Sequence, residues 1–259
     1  MKSRIQHDFG KAASRYDQHA ALQRTVAQRL FQMIENTLPN HHHIIDVGCG
    51  TGYFHELARS HHYYGTITQL DLALPMCQLA ASYASSTPFG TTYTLCADAE
   101  ELPCAADSAN MVFSSLMLQW TDHKRTLDEC ARILAPGGTL ALATFGSQTL
   151  HELKSAFAAI DPLPHVNDFV DDQTLLSLLN QTGFINITMK QEIQQYYYPS
   201  VRALMHNLKA IGARYKQSSH SGLTSKSWLR ALESAYQQQC GEEKGLPVTW
   251  EIYYIMAEK

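Results

Sequence analysis

The chain has 259 residues, 45% of them hydrophobic and 17% charged, with a formal net charge of -4 at pH 7. That supplies one full core with an appendage and too few charges for long solvated tails. The negative balance argues against generic nucleic-acid binding, which needs a basic surface, although a local basic patch stays compatible with it.

Six cysteines, Cys49, Cys77, Cys96, Cys104, Cys130 and Cys240, are scattered without a Cys-x-x-Cys pair or zinc-type spacing. They suit a reducing, cytoplasmic setting, and no metal is expected. The first residues lack the apolar core of a secretory signal. No apolar run approaches the roughly 20 residues of a bilayer span, so no membrane partner is expected. The triplet His41–His43 precedes a buried strand and reads as a polar loop.

In chain order, residues 1–17 are polar, with Phe9 and Tyr16 among them. From about Gln18 to Leu38, Leu22, Val26, Leu30 and Met33 recur at helical spacing, and Pro39 with Asn40 ends that helix. Because it precedes the first strand, this segment is an addition to the core. Tyr16, His19 and Gln23 are either ordinary helix decoration or part of a flap over a ligand.

The stretch Ile44 to Phe54 reads I-I-D-V-G-C-G-T-G-Y-F. An apolar strand runs into Gly48, Gly50 and Gly52, and a helix starts behind them. Glycine serves where a backbone takes positive φ or approaches a ligand closely. The dinucleotide fingerprint would need its third glycine at Tyr53, so a nicotinamide or flavin site does not fit. Thr66–Leu70 is the second strand, with Asp71 at its carboxyl end, where a carboxylate can accept from a ribose diol. A helix over Leu74–Ser85 leads to a third strand over Thr92–Ala97, and Asp98 stands where an adenine amino group can donate.

Met111–Ser115 is the fourth strand, followed by Leu116-Met117-Leu118-Gln119-Trp120. Leu116 and Leu118 are read equally as core or as substrate-facing, whereas Gln119 and Trp120 point more to substrate. A helix over Asp122–Leu134, a Pro136-Gly137-Gly138 turn and a strand over Gly138–Phe145 complete five alternating units, the pattern of a parallel α/β sheet. Ligands bind such sheets beyond the strands' carboxyl ends. Asp46, Asp71, Asp98 and Ser114 all fall there. Helices are expected over 149–160, 172–181, 200–213 and 226–239, with strands over 184–198 and 248–257.

The combination D-V-G-C-G-T-G, an acidic second-strand end, D-A-E-E-L-P and L-A-P-G-G resembles class I S-adenosylmethionine-dependent methyltransferases over roughly residues 40–145. This resemblance implies a Rossmann-like seven-stranded α/β fold with a reversed hairpin at one edge. It divides the chain into an N-terminal helical flap (1–39), a cofactor core (40–198), a helical lid (199–243) and a final core strand (244–259). It implies that Asp46, Gly48, Gly50 and Gly52 meet the methionine portion of S-adenosylmethionine, Asp71 the ribose, and Asp98 with Ala99 the adenine. Cys49, Leu72 and Ser114 are further cofactor-binding candidates.

Further pieces lie outside the generic motifs: F-G-K-A-A-S-R-Y-D-Q-H-A-A-L-Q, S-S-L-M-L-Q-W, T-L-H-E-L-K, H-V-N-D-F-V-D, L-M-H-N-L-K-A-I-G-A and L-P-V-T-W-E-I-Y-Y. With them the chain resembles the malonyl-[acyl-carrier protein] O-methyltransferases of biotin synthesis. The implied acceptor is the free carboxylate of a malonyl thioester on acyl carrier protein or coenzyme A. Another small acid or quinone, or cofactor binding without catalysis, are the competing readings.

A carboxylate is already ionised at neutral pH, so no general base is expected. Tyr16, His19, Gln119 and Trp120 are the candidates for positioning it. Arg202 and Arg214 could hold it bidentately from the lid. Lys154, Arg202, Lys209, Arg214 and Lys216 are the candidate basic patch for an acidic carrier.

Overall fold

A computed structural model describes residues 2–84, 90–161, 163, 165–211 and 226–259. Seven strands form one sheet: β1 (His43–Val47), β2 (Thr66–Asp71), β3 (Thr92–Cys96), β4 (Ala109–Ser115), β5 (Leu134–Phe145), β6 (Ile185–Tyr198) and β7 (Leu246–Glu258). Their order is β3-β2-β1-β4-β5-β7-β6. Neighbours from β3 to β5 run parallel, and β7 is antiparallel to both β5 and β6. The reversed hairpin edge is therefore present. The strand order turns back between β1 and β4, which is where such sheets open a crevice for ligand.

The central strands are apolar on both faces, as a sheet covered by helices on each side requires. One face carries α3 (Ala21–Ile34), α4 (Tyr53–Ser60), α7 (His151–Ala158), α9 (Val201–Ala210) and α10 (Lys226–Cys240). Their buried Phe31, Phe54, Phe157, Leu204 and Tyr236 pack with Ile44, Phe113 and Ala143 of the sheet. The other face carries α6 (His123–Ile133) and α8 (Asp172–Thr182), whose Leu127, Cys130 and Leu175 pack with Val47, Val112 and Leu142. Among the described residues, no helix is long and apolar enough to cross a membrane.

The N-terminal segment departs from the sequence reading. Residues 1–17 have no element assigned by periodicity, yet Lys2–Ala12 forms a helix, α1, and Tyr16–His19 forms one helical turn, α2. The helix expected over Gln18–Leu38 is interrupted at Ala20 (φ -90, ψ 31), and α3 starts at Ala21. Packing overrides weak local propensity here: Ala13 lies against Ala73 and Met76, with Phe9 and Tyr16 beside them. The residues Met76 and Ala73 belong to, or adjoin, α5 (Leu74–Ala84). Strand β5 also starts earlier than expected, at Leu134, because Ala109 pairs with Leu134 before the register shifts.

Candidate active site

Three left-handed glycines shape the loop after β1: Gly48 (φ 81), Gly50 (φ 54) and Gly52 (φ 93). The first and third are closed by close packing. A Cβ on Gly48 would lie 2.4 Å from Met117 Cγ, and one on Gly52 would meet the Gln69 amide at 2.8 Å and Ala80 at 3.3 Å. A Cβ on Gly50 would meet nothing within 4 Å, although Gly50 lines a cavity. Its bare backbone leaves room for a ligand.

Asp71 at the end of β2 braces this loop. It accepts from Gly50 N at 3.0 Å and Ala73 N at 2.8 Å. Burial holds its carboxyl above the usual carboxylate range, against the lowering pull of the Ala73, Gly50 and Leu72 N–H groups. Asp46 is 2% exposed, and its Oδ2 has no hydrogen-bond partner among the described residues. Burial, then the charge of Asp71, push its carboxyl well above the usual range. An orphaned buried acceptor is costly unless a donor arrives.

At the end of β3, Asp98 accepts from Glu100 N at 3.0 Å and from Lys2 Nζ at 2.6 Å, and Lys2 also reaches Glu100 at 2.7 Å. Burial alone would raise the Asp98 carboxyl. The Lys2 hydrogen bond, the Glu100 N–H and the charges of Lys2 and Arg125 outweigh it, leaving Asp98 below its ordinary value. These strand ends surround one cavity of about 800 Å³, open to solvent. Gly48, Gly50, Asp71, Leu72, Asp98 and Ala99 form one side; Ser115, Leu116, Met117 and Trp120 form the other; and Lys2, Gln6, Phe9 and Tyr16 close over it.

Residues 45–142 match the methyltransferase-domain family Methyltransf_11. The chain is 36% identical over 259 residues to malonyl-[acyl-carrier protein] O-methyltransferase of Alcanivorax borkumensis, covering 100% of this chain and 87% of that protein. The chain belongs to that family. It is thus an S-adenosylmethionine-dependent methyltransferase. It is also 35% identical over 257 residues to the biotin biosynthesis bifunctional protein BioHC of Cellvibrio japonicus, covering 98% of this chain and 50% of that longer protein. Among solved structures, YcgJ of Bacillus subtilis superposes with a TM-score of 0.65 at 14% identity, covering 90% of this chain and 98% of that one. That likeness carries the fold.

Within this methyltransferase family member, the residues singled out by sequence divide into two groups. Gly48, Gly50, Asp71, Leu72, Asp98, Ala99, Tyr16 and Trp120 all line the cavity. Asp46 lies just behind it in β1, and Cys49 and Gly52 turn into the packed loop, the Cys49 thiol toward Gly50 O at 3.6 Å. The structure does not bring Ser114 to the cavity: its hydroxyl is 1% exposed with the rest of the side chain and donates to Val47 O at 2.8 Å. Nor does it bring Gln119, whose Nε2 donates to Leu116 O at 2.6 Å while its Oε1 accepts from Thr144 at 3.4 Å. Gln119 instead holds a strained peptide, because Leu116 has φ 53, a left-handed conformation unusual for a branched side chain.

His19 is half-buried and its ring lies 6.1 Å from that of His206 in α9, away from the cavity wall. Arg202 and Lys209 are exposed on α9 and do not line the cavity, and Lys154 is paired with Asp168. Arg214 and Lys216 lie outside the described residues.

Sequence reasoning missed the role of α1. Lys2 holds Asp98 and Glu100, Gln6 Nε2 donates to Leu72 O at 3.1 Å, and the Phe9 ring meets Trp120 edge-on at 5.3 Å. Asp17 ties the same flap to the glycine loop by accepting from Thr51 Oγ1 at 2.8 Å. The face over the cavity mixes polar Lys2 and Gln6 with Ile5 and Phe9. Ile5, Phe9, Ala12 and Tyr16 do recur at helical spacing, a signal diluted by the polar residues around them.

Proposed function

We propose that this chain transfers the methyl group of S-adenosylmethionine to the free carboxylate of a malonyl thioester on acyl carrier protein, in biotin synthesis. The observation that carries this reading is coverage: a relative named for that reaction matches all 259 residues, flap and lid included, rather than the cofactor core alone.

When bound, the cofactor supplies an activated methyl on a sulfonium, with a neutral thioether as leaving group. The fit rests on the open space at Gly50, which lines the cavity, and on the orphaned Oδ2 of Asp46 behind its wall. Asp46 would receive a donor from the amino-acid end, Asp71 the ribose hydroxyls, and Asp98 with Ala99 the adenine. Asp98 Oδ2 now accepts from Lys2, so an adenine amino group would share or displace that ammonium.

The acceptor carboxylate is ionised at neutral pH and needs no base. The protein's task is to align it, and such positioning contributes on the order of 7–11 kcal/mol. Tyr16 is a suitable donor: burial, then the charges of Asp71 and Asp17, raise its phenol above the ordinary value, so it keeps its proton. Trp120 and Phe9 would screen the carboxylate from water. The free thiols fit a cytoplasmic setting. Arg202 and Lys209, exposed on α9, would meet an acidic carrier, and such docking weakens with salt.

The test is mass spectrometry of malonyl carrier protein, malonyl-coenzyme A and free malonate after incubation with enzyme and cofactor. The expected result is one added methyl on the carrier, removed by mild ester hydrolysis. Equal or faster methylation of the free acid, or none of the carrier, rejects the carrier assignment.

A further inference from the structure

Adjacent serines end β4, and the sheet treats them differently. Ser114 faces Val47 and donates to its carbonyl. Ser115 lines the cavity, and its buried Oγ has no hydrogen-bond partner among the described residues. Alternation along a strand places successive side chains on opposite faces. Ser115 therefore shares its face with Phe113 and Ala143, its neighbour across to β5. That is the face on which the lid residues Val201 and Leu204 pack.

The position of this hydroxyl is firmly set. The next residue, Leu116, is held left-handed by its N–H on Ala143 O at 2.8 Å and by Gln119 on its carbonyl. Met117 then presses against Gly48. Its immediate chain neighbours in the lining, Leu116 and Met117, are apolar, so the Ser115 hydroxyl is the polar group that this end of β4 offers. Its opposite number is Asp46 Oδ2, the other orphaned atom of this pair of strands, which is an acceptor. Asp46 pairs with Phe113, two positions before Ser115. The two open atoms thus lie on one face of neighbouring strands, two register positions apart, and an acceptor and a donor call for different ligand groups.

We infer that Ser115 Oγ–H binds the acceptor carboxylate, donating to the oxygen that does not take the methyl group. The inference rests on the carboxyl-methylating reading above. The hydroxyl orients the carboxylate without transferring a proton. The attacking oxygen forms its bond to the methyl carbon as the carbon–sulfur bond breaks, and the electron pair leaves on sulfur.

The experiment compares wild type, Ser115→Ala and Ser115→Cys. Because Ser115 Oγ bonds to nothing among the described residues, both variants should unfold at the wild-type temperature. The kcat/KM for malonyl carrier should fall about ten- to a hundredfold in Ser115→Ala, the range for losing a hydrogen bond to a charged group. Affinity for S-adenosylhomocysteine by calorimetry should stay within about twofold, and Ser115→Cys, a weaker donor, should fall between. Unchanged turnover in Ser115→Ala overturns the inference. So does a matching loss of S-adenosylhomocysteine affinity, which would hand the hydroxyl to the cofactor's own carboxylate. A wild-type enzyme that leaves malonyl carrier unmethylated overturns the acceptor assignment first, and the serine with it.

Discussion

The N-terminal helices and the helices α9 and α10 are attached to the sheet by different means. The first helices of the flap, residues 2–19, meet the cavity rim through polar contacts, Lys2 to Asp98 and Glu100, Gln6 to Leu72 O and Asp17 to Thr51, beside one small apolar cluster at Ala13, whereas α3 behind them is buried in the core. The lid is anchored by fully buried side chains, Val201, Leu204, Leu232 and Tyr236, each 0% exposed. It also sends one buried hydrogen bond inward, from Tyr236 Oη to Pro247 O at 2.7 Å. Polar contacts to a rim can exchange with water or ligand at little net cost, whereas an apolar anchor cannot leave without exposing its surface. Residues 2–19 are thus the more easily detached part, and α9 and α10, like α3, belong to the packed core.

The largest effect should come from the lid. Leu204→Ala should cost about 2–5 kcal/mol in denaturant unfolding, because it empties a fully buried site. A loss below that range would undo the contrast. Next comes the rim beneath the flap. Asp71→Ala should weaken S-adenosylhomocysteine binding about ten- to a hundredfold by calorimetry, since it removes both a ligand acceptor and the brace on Gly50. Unchanged affinity would take Asp71 out of the ribose site. Tyr16→Phe should lower kcat on malonyl carrier about tenfold while changing cofactor affinity much less; equal losses would place Tyr16 with the cofactor.

Asp46 supplies a smaller effect of opposite sign. Its carboxyl is raised above the usual range in the folded protein, so the native state favours the protonated acid. The stability it contributes is present at low pH and is lost as pH rises through the folded value. Asp46→Asn cannot ionise. It should stabilise the unliganded protein at neutral pH, by on the order of 1 kcal/mol, and flatten the fall in melting temperature above the carboxylate range. It should also weaken cofactor binding. The smallest effect belongs to Lys2, whose pair with Asp98 is about a third exposed at each end. Lys2→Ala should change stability by less than about 1 kcal/mol. High salt should speed tryptic cleavage at Lys11 and Arg15 in the flap while leaving the lid's apolar anchors untouched.

The cofactor half of the cavity was readable because it is made of local signals. Gly48, Gly50 and Gly52 announce a turn by spacing alone, and Asp71 and Asp98 follow strands whose apolar runs mark their ends. The acceptor half was not. Gln119, chosen for its place after β4, bonds to Leu116 and Thr144, and His19 meets His206. Neither outcome depends on residue type or spacing; each depends on which segment from elsewhere in the chain packs alongside.

The amino-acid order alone determined the seven-stranded α/β design and the row of aspartates and glycines along one edge of it, since strand ends and left-handed turns are written within a few residues. Only the assembled molecule decided that Lys2–Ala12 is a helix lying over that edge, and that Ser115 rather than Ser114 reaches the cavity. The reason is geometric. A strand's pleat has a period of two, so its phase, and with it the face each hydroxyl takes, is set by pairing with β1 and β5 and not by the strand itself.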